Sequence, residues 1–152
     1  RPSMTLEEAV ERYLAKDSIH HKGHDVERYR LVKLLEQLGR TRLLAAITSK
    51  DIAALKTDRL QRVSSGAVRR ELNLLSSLFE TAKNEWGETN IGNPVRAVKR
   101  PRDSAARDRR LTPVERHQLL STAATAANNQ LHLAILIALE TALRQGEILN
   151  LR

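Results

Sequence analysis

The sequence predicts an all-α protein, and three observations support that class. Apolar residues recur every three or four positions along most of the 152 residues, whereas no stretch keeps the period-two alternation of a half-buried strand. Glycine and proline number only six and four, so few tight turns are available. Aromatic residues, which favour strands, make up only 3% of the chain. We therefore expect helices joined by short polar connections.

The first two helices have clear start and stop signals. Thr5 and Glu8 form a capping-box pattern at the start of an amphipathic helix that ends near Lys16. A second helix is predicted from about 24 to 38, because four leucines in it fall on one face. Gly39 follows and suits the C-terminal end of that helix.

Three close histidines, His20, His21 and His24, lie in and after the loop between these helices. Histidine can bind a metal, but this spacing on a polar loop is a weak signal. Solvated or DNA-facing histidines are the favoured interpretation, so no metal site is expected.

A third helix begins at Thr48 or Ser49, and Asp51 lies in its first turn, where the helix dipole favours a carboxylate. Its predicted buried residues are Ile52, Leu55 and Leu60. A fourth helix carries a longer apolar stripe with spacings of four and three, formed by Val68, Leu72, Leu75, Phe79, Ala82 and Trp86. This stripe predicts core packing.

The opposite side of the fourth helix is polar, with Arg69, Arg70, Asn73 and Ser77. Such a face could lie in the major groove of DNA, where arginine reads guanine and asparagine reads adenine. The alternative is an ordinary solvated surface. Groove contact is the preferred interpretation.

Positive charge is the strongest compositional feature. Lysine and arginine number 26 against 18 acidic residues, so the formal net charge is +8 and the isoelectric point is about 10.4. Over half of that charge falls between Arg96 and Arg110, where seven basic residues accompany two acidic ones. This concentration predicts a polyanionic partner, nucleic acid first, over a merely solvated basic surface. The segment has little apolar content and contains Pro101, as expected of a linker between domains.

Other classes of protein are excluded by the composition. The absence of cysteine rules out disulfides and thiolate metal ligation and fits a reducing compartment. No apolar run approaches the roughly 20 residues that a transmembrane helix needs. The first residues, 1 to 4, contain no signal-peptide core. We therefore expect no membrane partner.

Beyond the basic segment, Thr112 and Glu115 form another capping-box pattern, with Pro113 at the first helical position. The predicted buried side of this helix is Leu119, Leu120, Ala123 and Ala124. The run 131–139 is apolar except for His132, which predicts a buried helix.

Arg144 follows that apolar run and precedes a short segment whose Ile148, Leu149 and Leu151 are expected to face the core. An arginine held between two packed helices suits bidentate binding of a phosphate. Glu147 is one helical turn away and can reach the guanidinium. The alternative is a structural arginine paired with Glu140 or Glu147.

The stretch Thr-Ala-Leu-Arg-Gln-Gly-Glu-Ile-Leu-Asn-Leu-Arg, residues 141–152, resembles the first catalytic-arginine box of the tyrosine recombinases, usually Thr-Gly-Leu-Arg-x-Ser/Gly-Glu-Ile/Leu. Ala142 departs from the common glycine. Upstream, the Asn-Pro at 93–94, the basic residues and the Arg-Arg-Leu-Thr-Pro-Val-Glu at 109–115 resemble that family's interdomain linker and first catalytic-domain helix. Arg116 stands where the family pattern has a second acid.

The resemblance implies a four-helix core-binding (SAM-like) bundle over residues 1–92, a basic linker over 93–111 and the first helices of a truncated catalytic domain over 112–152. In that family the two domains clamp duplex DNA, and a tyrosine forms a 3′-phosphotyrosyl intermediate without a metal or nucleotide cofactor. Arg144 would stabilise the scissile phosphate, with Glu147 supporting it. The expected DNA-binding residues are Arg69, Arg70, Asn73, Lys99, Arg100, Arg102, Arg107, Arg109 and Arg110.

The chain is then expected to be an inactive DNA-binding fragment of a cytoplasmic, nucleoid-associated prokaryotic or phage recombinase that forms a tetramer on DNA. Its two tyrosines, Tyr13 and Tyr29, lie in the first helices and are expected to pack rather than react. An apolar face after Thr112 would lead either to disorder or to dimerisation through that face. The alternatives are a non-catalytic helical DNA-binding regulator and, less favoured, a helical protein-interaction scaffold.

Overall fold

A computed structural model describes residues 4–102 and 108–151. Within those ranges every regular secondary-structure element is an α-helix or a short 3-10 helix. The predicted all-α class is confirmed; one isolated bridge joins Thr5 to Leu43. The chain divides into two compact units, residues 1–105 and 106–152. Within the described ranges, no helix is both long enough and apolar enough to cross a membrane.

Four helices form the first unit: α1 (Leu6–Lys16), α2 (His24–Leu38), α3 (Ser49–Arg62) and α4 (Ser65–Glu85). Short 3-10 turns at Ser18–His20 and Leu44–Ala46 connect the first three.

The predicted helix signals of this unit are found. Thr5 and Glu8 cap α1 reciprocally. Helix α3 begins at Ser49 with Asp51 in its first turn, and the structure adds a reciprocal cap between Asp51 and Thr48. After α2 the chain leaves the helix at Gly39 with a φ of 95°, a conformation that glycine adopts without steric cost.

Helix α4 is the central element of this unit, because it packs against α1, α2 and α3. The predicted stripe is buried from Val68 to Ala82, and Trp86 is partly buried. Leu74 and Leu78 are buried as well. A single stripe underestimates the buried surface because α4 has neighbours on several sides.

The prediction that Leu60 faces the core is wrong, since its side chain is 41% exposed. At about 100° per residue, Leu60 lies roughly 140° around α3 from the buried Leu55. Arg59 lies close to the line through Ile52 and Leu55, and it is buried there with Glu71 as its partner.

In the second unit α5 (Pro113–Ala124), α6 (Asn129–Thr141) and α7 (Gln145–Leu149) follow one another. The predicted box of Thr112 with Glu115 caps α5. Ala142 ends α6 in the left-handed conformation, with a φ of 55°.

The expected burial of this second unit is mostly not found. Among its described residues only Ala123 is buried, and Ala124 is exposed. Helix α6, predicted to be buried, leaves Leu131, Leu133 and Leu136 exposed. Leu149 at the end of α7 and Leu151 beyond it are exposed as well. Three short helices supply too little surface to enclose a helix that is apolar on nearly every side.

Candidate nucleic-acid interface

The polar face of α4 is the first part of the candidate interface. Arg70, Asn73 and Ser77 are exposed, and Arg69 is partly exposed. The Ser77 hydroxyl donates to the Asn73 backbone carbonyl at 3.1 Å, one turn back. These side chains point outward because the apolar stripe turns the other side of α4 into the core.

Residues 93–102, which we call the docked segment, pack against this bundle. Val95 is fully buried and Val98 nearly so, and both belong to the same core as the preceding Ile91. This arrangement differs from the expected linker of little apolar content. The spacing of four and three in Ile91, Val95 and Val98 is the sequence signal that could have predicted it.

Asn93 connects the docked segment to α4. Its amide nitrogen donates to the Ser76 carbonyl at 3.1 Å, to the Ser76 hydroxyl at 2.9 Å and to Glu80 Oε1 at 2.7 Å. Its amide oxygen accepts from the Val95 backbone N–H at 3.1 Å. Both the donor and the acceptor of the Asn93 amide are therefore hydrogen-bonded.

Cationic side chains hold the other end of the docked segment. Arg100 donates from Nε to Asn73 Oδ1 at 3.2 Å and from Nη1 to the Val95 carbonyl at 3.0 Å. Arg69 Nη1 donates to the Pro101 carbonyl at 3.2 Å, and Lys56 Nζ donates to the Lys99 carbonyl at 3.2 Å. Residues from α3, α4 and the docked segment thus meet on one surface.

This surface is strongly cationic. Partial burial, together with the nearby charge of Arg69, lowers the pKa of Arg100, which is the response expected where cations are crowded. Lys99 and Arg102 are exposed, while the exposed Arg96 pairs with Glu80 at 2.9 Å. An anion approaching here would relieve the repulsion between neighbouring cations.

Lys56 is a member of this surface that the sequence did not indicate. It lies on α3, 43 residues from the carbonyl that it contacts. No local pattern identifies it, because its position depends on how α3 packs beside the docked segment.

Three predicted DNA-binding residues remain: Arg107, Arg109 and Arg110. Arg107 is outside the described residues. Arg109 and Arg110 belong to the second unit, where both are exposed and Arg109 pairs with Glu115.

Arg144 occupies the N-cap position of α7. Its backbone N–H donates to Glu147 Oε2 at 2.7 Å, and its Nη1 approaches Glu147 Oε1 at 3.4 Å. The side chain is 88% exposed. The expected contact with Glu147 is therefore found, whereas the expected enclosure by packed helices is not. Glu140, the other predicted partner, pairs with Arg116 instead.

Neither tyrosine is part of these surfaces. Tyr13 is buried in the core, and Tyr29 is exposed with the Lys33 ammonium 4.3 Å from its ring centroid. Near the loop histidines, Ser18 and His21 contact Glu27. In the described part of the chain, no group of three or more histidine, cysteine or acidic side chains is arranged to hold a metal ion.

Curated proteins similar to this chain include a shufflon-specific DNA recombinase of Escherichia coli, 41% identical over 157 residues. That match covers 98% of this chain and 40% of the relative. Two putative integrase/recombinases of Haemophilus influenzae are 33% and 27% identical, each over 99% of this chain. The chain spans 43% and 51% of the length of these two relatives.

Comparisons with protein-family profiles and with solved structures give no further match. No protein-family profile matches the chain. No solved structure shows significant similarity to it.

Proposed function

Because the chain belongs to the tyrosine recombinase family, we propose that it is the DNA-binding portion of a site-specific recombinase. It would bind duplex DNA through the polar face of α4 and the docked segment. Arg144 would belong to the reaction centre of the whole protein. The chain spans less than two thirds of its curated relatives, so the activity of the whole protein is part of this proposal.

The observation that carries the proposal is the cluster formed by Lys56, Arg69, Lys99 and Arg100. They come from three separate segments: Lys56 and Arg69 donate to the carbonyls of Lys99 and Pro101, and Arg100 donates to Asn73. DNA carries one negative charge per about 1.7 Å of helix axis, so a compact group of cations suits its phosphate backbone. Asn73 and Arg70 add hydrogen-bonding groups of the kind that read base edges.

The arginine box supports the catalytic part of the proposal. Arg144 has a backbone fixed by its contact with Glu147 and a side chain that solvent reaches. A guanidinium in this position can donate two parallel hydrogen bonds to a phosphate. In the proposed mechanism a tyrosine of the whole protein attacks the scissile phosphate and forms a 3′-phosphotyrosyl bond. Arg144 would stabilise the added negative charge of the transition state.

The chain by itself is proposed to bind DNA without cutting it. Tyr13 is enclosed in the core of the first unit and cannot reach a phosphate without unfolding. Tyr29 lies on α2 with Lys33 against its ring. A homotetramer on DNA and a cytoplasmic, nucleoid-associated location belong to the same proposal for the whole protein.

Fluorescence anisotropy with a labelled DNA duplex tests the binding function. The logarithm of the binding constant should fall linearly with the logarithm of salt concentration, with about 0.9 of slope for each phosphate neutralised. A slope of about 3 or more corresponds to the described cluster. No binding at low salt, or a binding constant that does not change with salt, would contradict the proposal.

A second candidate is a DNA-binding regulator without covalent chemistry. The observation in its favour is the pairing of Arg144 with Glu147, which makes the arginine part of a helix cap. A nicked suicide duplex incubated with the whole protein separates the two functions. Covalent protein–DNA product supports the recombinase, whereas binding with no covalent product supports the regulator.

A further inference from the structure

We propose that Asn93 is a positioning residue that fastens the docked segment to α4 and so forms the basic surface before DNA arrives. The proposal rests on the proposed DNA-binding function. Asn93 would act through Lys99 and Arg100 and would not itself contact DNA.

The hydrogen bonds of Asn93 are of two kinds. The bond from the Val95 N–H to Asn93 Oδ1 spans two residues and forms an Asx turn. The bonds from its nitrogen reach Ser76 and Glu80, which are 17 and 13 residues away on α4. A residue needed only for the turn would have no use for these distant acceptors.

The chemistry at this position suits asparagine in particular. An amide supplies a donor for the Ser76 carbonyl and Glu80 and an acceptor for Val95 in one short side chain. Aspartate keeps the acceptor but has no donor, and its charge would face the Glu80 carboxylate. Alanine removes both and leaves the partly buried Ser76 carbonyl without this donor.

Val95 and Val98 supply the other half of the attachment. Their burial in the core favours a packed segment, but apolar contacts are not directional. The directional bonds of Asn93 determine the register in which the two valines enter the core. With that register, the Lys99 and Pro101 carbonyls lie within reach of Lys56 and Arg69.

A segment ordered in advance strengthens binding, because DNA does not have to order it. Without Asn93, we expect the segment to move among several positions while α1–α4 stay folded. Lys99 and Arg100 would then be spread over a larger volume, and their contribution to DNA binding would fall.

Limited trypsin digestion tests the attachment without DNA. The bonds after Arg96 and Lys99 lie within the docked segment, so their cleavage rate reports how often it leaves the bundle. In Asn93→Ala we expect cleavage at least tenfold faster than in the unmodified chain. Asn84→Ala, which changes an exposed asparagine of α4, is the matched control and should leave the rate unchanged.

Circular dichroism during heating shows whether each variant retains the helical bundle. If Asn93→Ala does not fold, Asn93→Asp replaces it, because this nearly isosteric variant keeps the bond to Val95 and loses those to α4. Equal cleavage of a folded variant and the unmodified chain would overturn the proposal.

DNA binding tests the consequence. Asn93→Ala should bind about tenfold more weakly, and its salt slope should fall by up to about 1.8 if both Lys99 and Arg100 lose phosphates. Adding Lys99→Gln to Asn93→Ala should then weaken binding less than Lys99→Gln does alone, since coupled residues are not additive. Asn84→Ala should bind as the unmodified chain does.

The two measurements separate this inference from the proposed function. If the unmodified chain fails to bind DNA, the proposed function is wrong, and the trypsin result still decides whether Asn93 fastens the segment. If Asn93→Ala frees the segment but leaves DNA affinity and salt slope unchanged, the positioning role is wrong and the proposed function stands.

Discussion

Arg59 of α3 and Glu71 of α4 form a bidentate salt bridge inside the first unit. Arg59 Nε lies 2.9 Å from Glu71 Oε2, and Arg59 Nη2 lies 2.5 Å from Glu71 Oε1. The side chains are only 9% and 7% exposed. The hydrogen bonds to Glu71 raise the pKa of Arg59, so the guanidinium stays charged within the packed helices.

The first prediction concerns this pair. Glu71→Ala should destabilise the chain by about 3–5 kcal/mol, because it leaves a buried guanidinium without a counter-charge. Urea denaturation followed by circular dichroism measures the change. The double variant Arg59→Met/Glu71→Leu should recover most of that loss, since both charges are removed together. An equal loss in Glu85→Ala, on the exposed part of α4, would contradict a specific effect.

The second prediction tests the wider core of α4. Leu78→Ala should cost about 2–5 kcal/mol, because Leu78 is fully buried and its truncation leaves a cavity. Leu60→Ala, on the exposed side of α3, should change stability by less than about 1 kcal/mol. Denaturant midpoints measure both. A similar loss for Leu60→Ala would show that Leu60 is also buried, which would contradict the described orientation of α3.

The third prediction concerns stability in acid. Partial burial tends to raise the pKa of Glu27, but hydrogen bonds from Ser18 and His21 outweigh it and lower the pKa below its usual value. A carboxylate with a lowered pKa stabilises the folded state above its unfolded pKa, and this contribution is lost as pH falls through the folded value. The loss should therefore begin below about pH 4.5.

Thermal melts of Glu27→Gln at several pH values measure this effect. The variant should be less stable than the unmodified chain near neutral pH, by about 1.5–3 kcal/mol for a hydrogen bond to a charged group. The difference should shrink as the pH falls below about 4.5. Glu11→Gln, on the exposed side of α1, should show no such convergence.

The fourth prediction compares cations at the interface. Lys99→Gln should lower the salt slope of DNA binding by about 0.9, the value for one phosphate contact. Arg96→Gln should have a smaller effect, because Arg96 is already paired with Glu80. Anisotropy titrations at several salt concentrations measure both. Lys22→Gln, in the turn before α2, should leave the slope unchanged; an equal effect would indicate binding by net charge alone.

The fifth prediction concerns Arg144 in the whole protein. Arg144→Ala should reduce strand cleavage by about 10²–10³-fold or more, as expected when a donor to a developing negative charge is removed. Binding to the target site should be nearly unchanged, because the neighbouring helices do not depend on the exposed guanidinium. Covalent-complex formation and anisotropy measure the two activities.

Arg116→Ala is the matched control for that experiment. Arg116 is another exposed arginine of the second unit, and it pairs with Glu140. Its loss should change cleavage only a few-fold. Equal losses of cleavage and binding in Arg144→Ala would instead point to a structural arginine.

Contacts between near neighbours in the chain were predictable from sequence. Thr5 with Glu8 and Thr112 with Glu115 are each three residues apart, and both pairs cap helices as expected. Asp51 was expected in the first turn of α3, and it forms the same kind of box with Thr48. Their residue types and spacing are sufficient, because a helix brings these positions together wherever it lies.

Burial was less predictable. The apolar pattern of α6 is real, yet the described second unit does not enclose it. On α3 the reverse occurs: the charged Arg59 is buried, whereas the apolar Leu60, which was expected in the core, is exposed. Periodicity states which residues share a face, but the number of neighbouring elements decides whether that face is covered.

The sequence alone therefore determined the all-α class, the starts of α1, α3 and α5 and the arginine box in which the chain resembles the tyrosine recombinases. Only the tertiary structure decided that residues 93–102 pack on the bundle, that Asn93 bonds to α4 and that Lys56 joins the basic surface. The features that the sequence determined depend on interactions within one or two helical turns, which the order of residues specifies directly. The features that only the tertiary structure decided depend on residues 13 to 43 positions apart, whose meeting follows from how the helices pack.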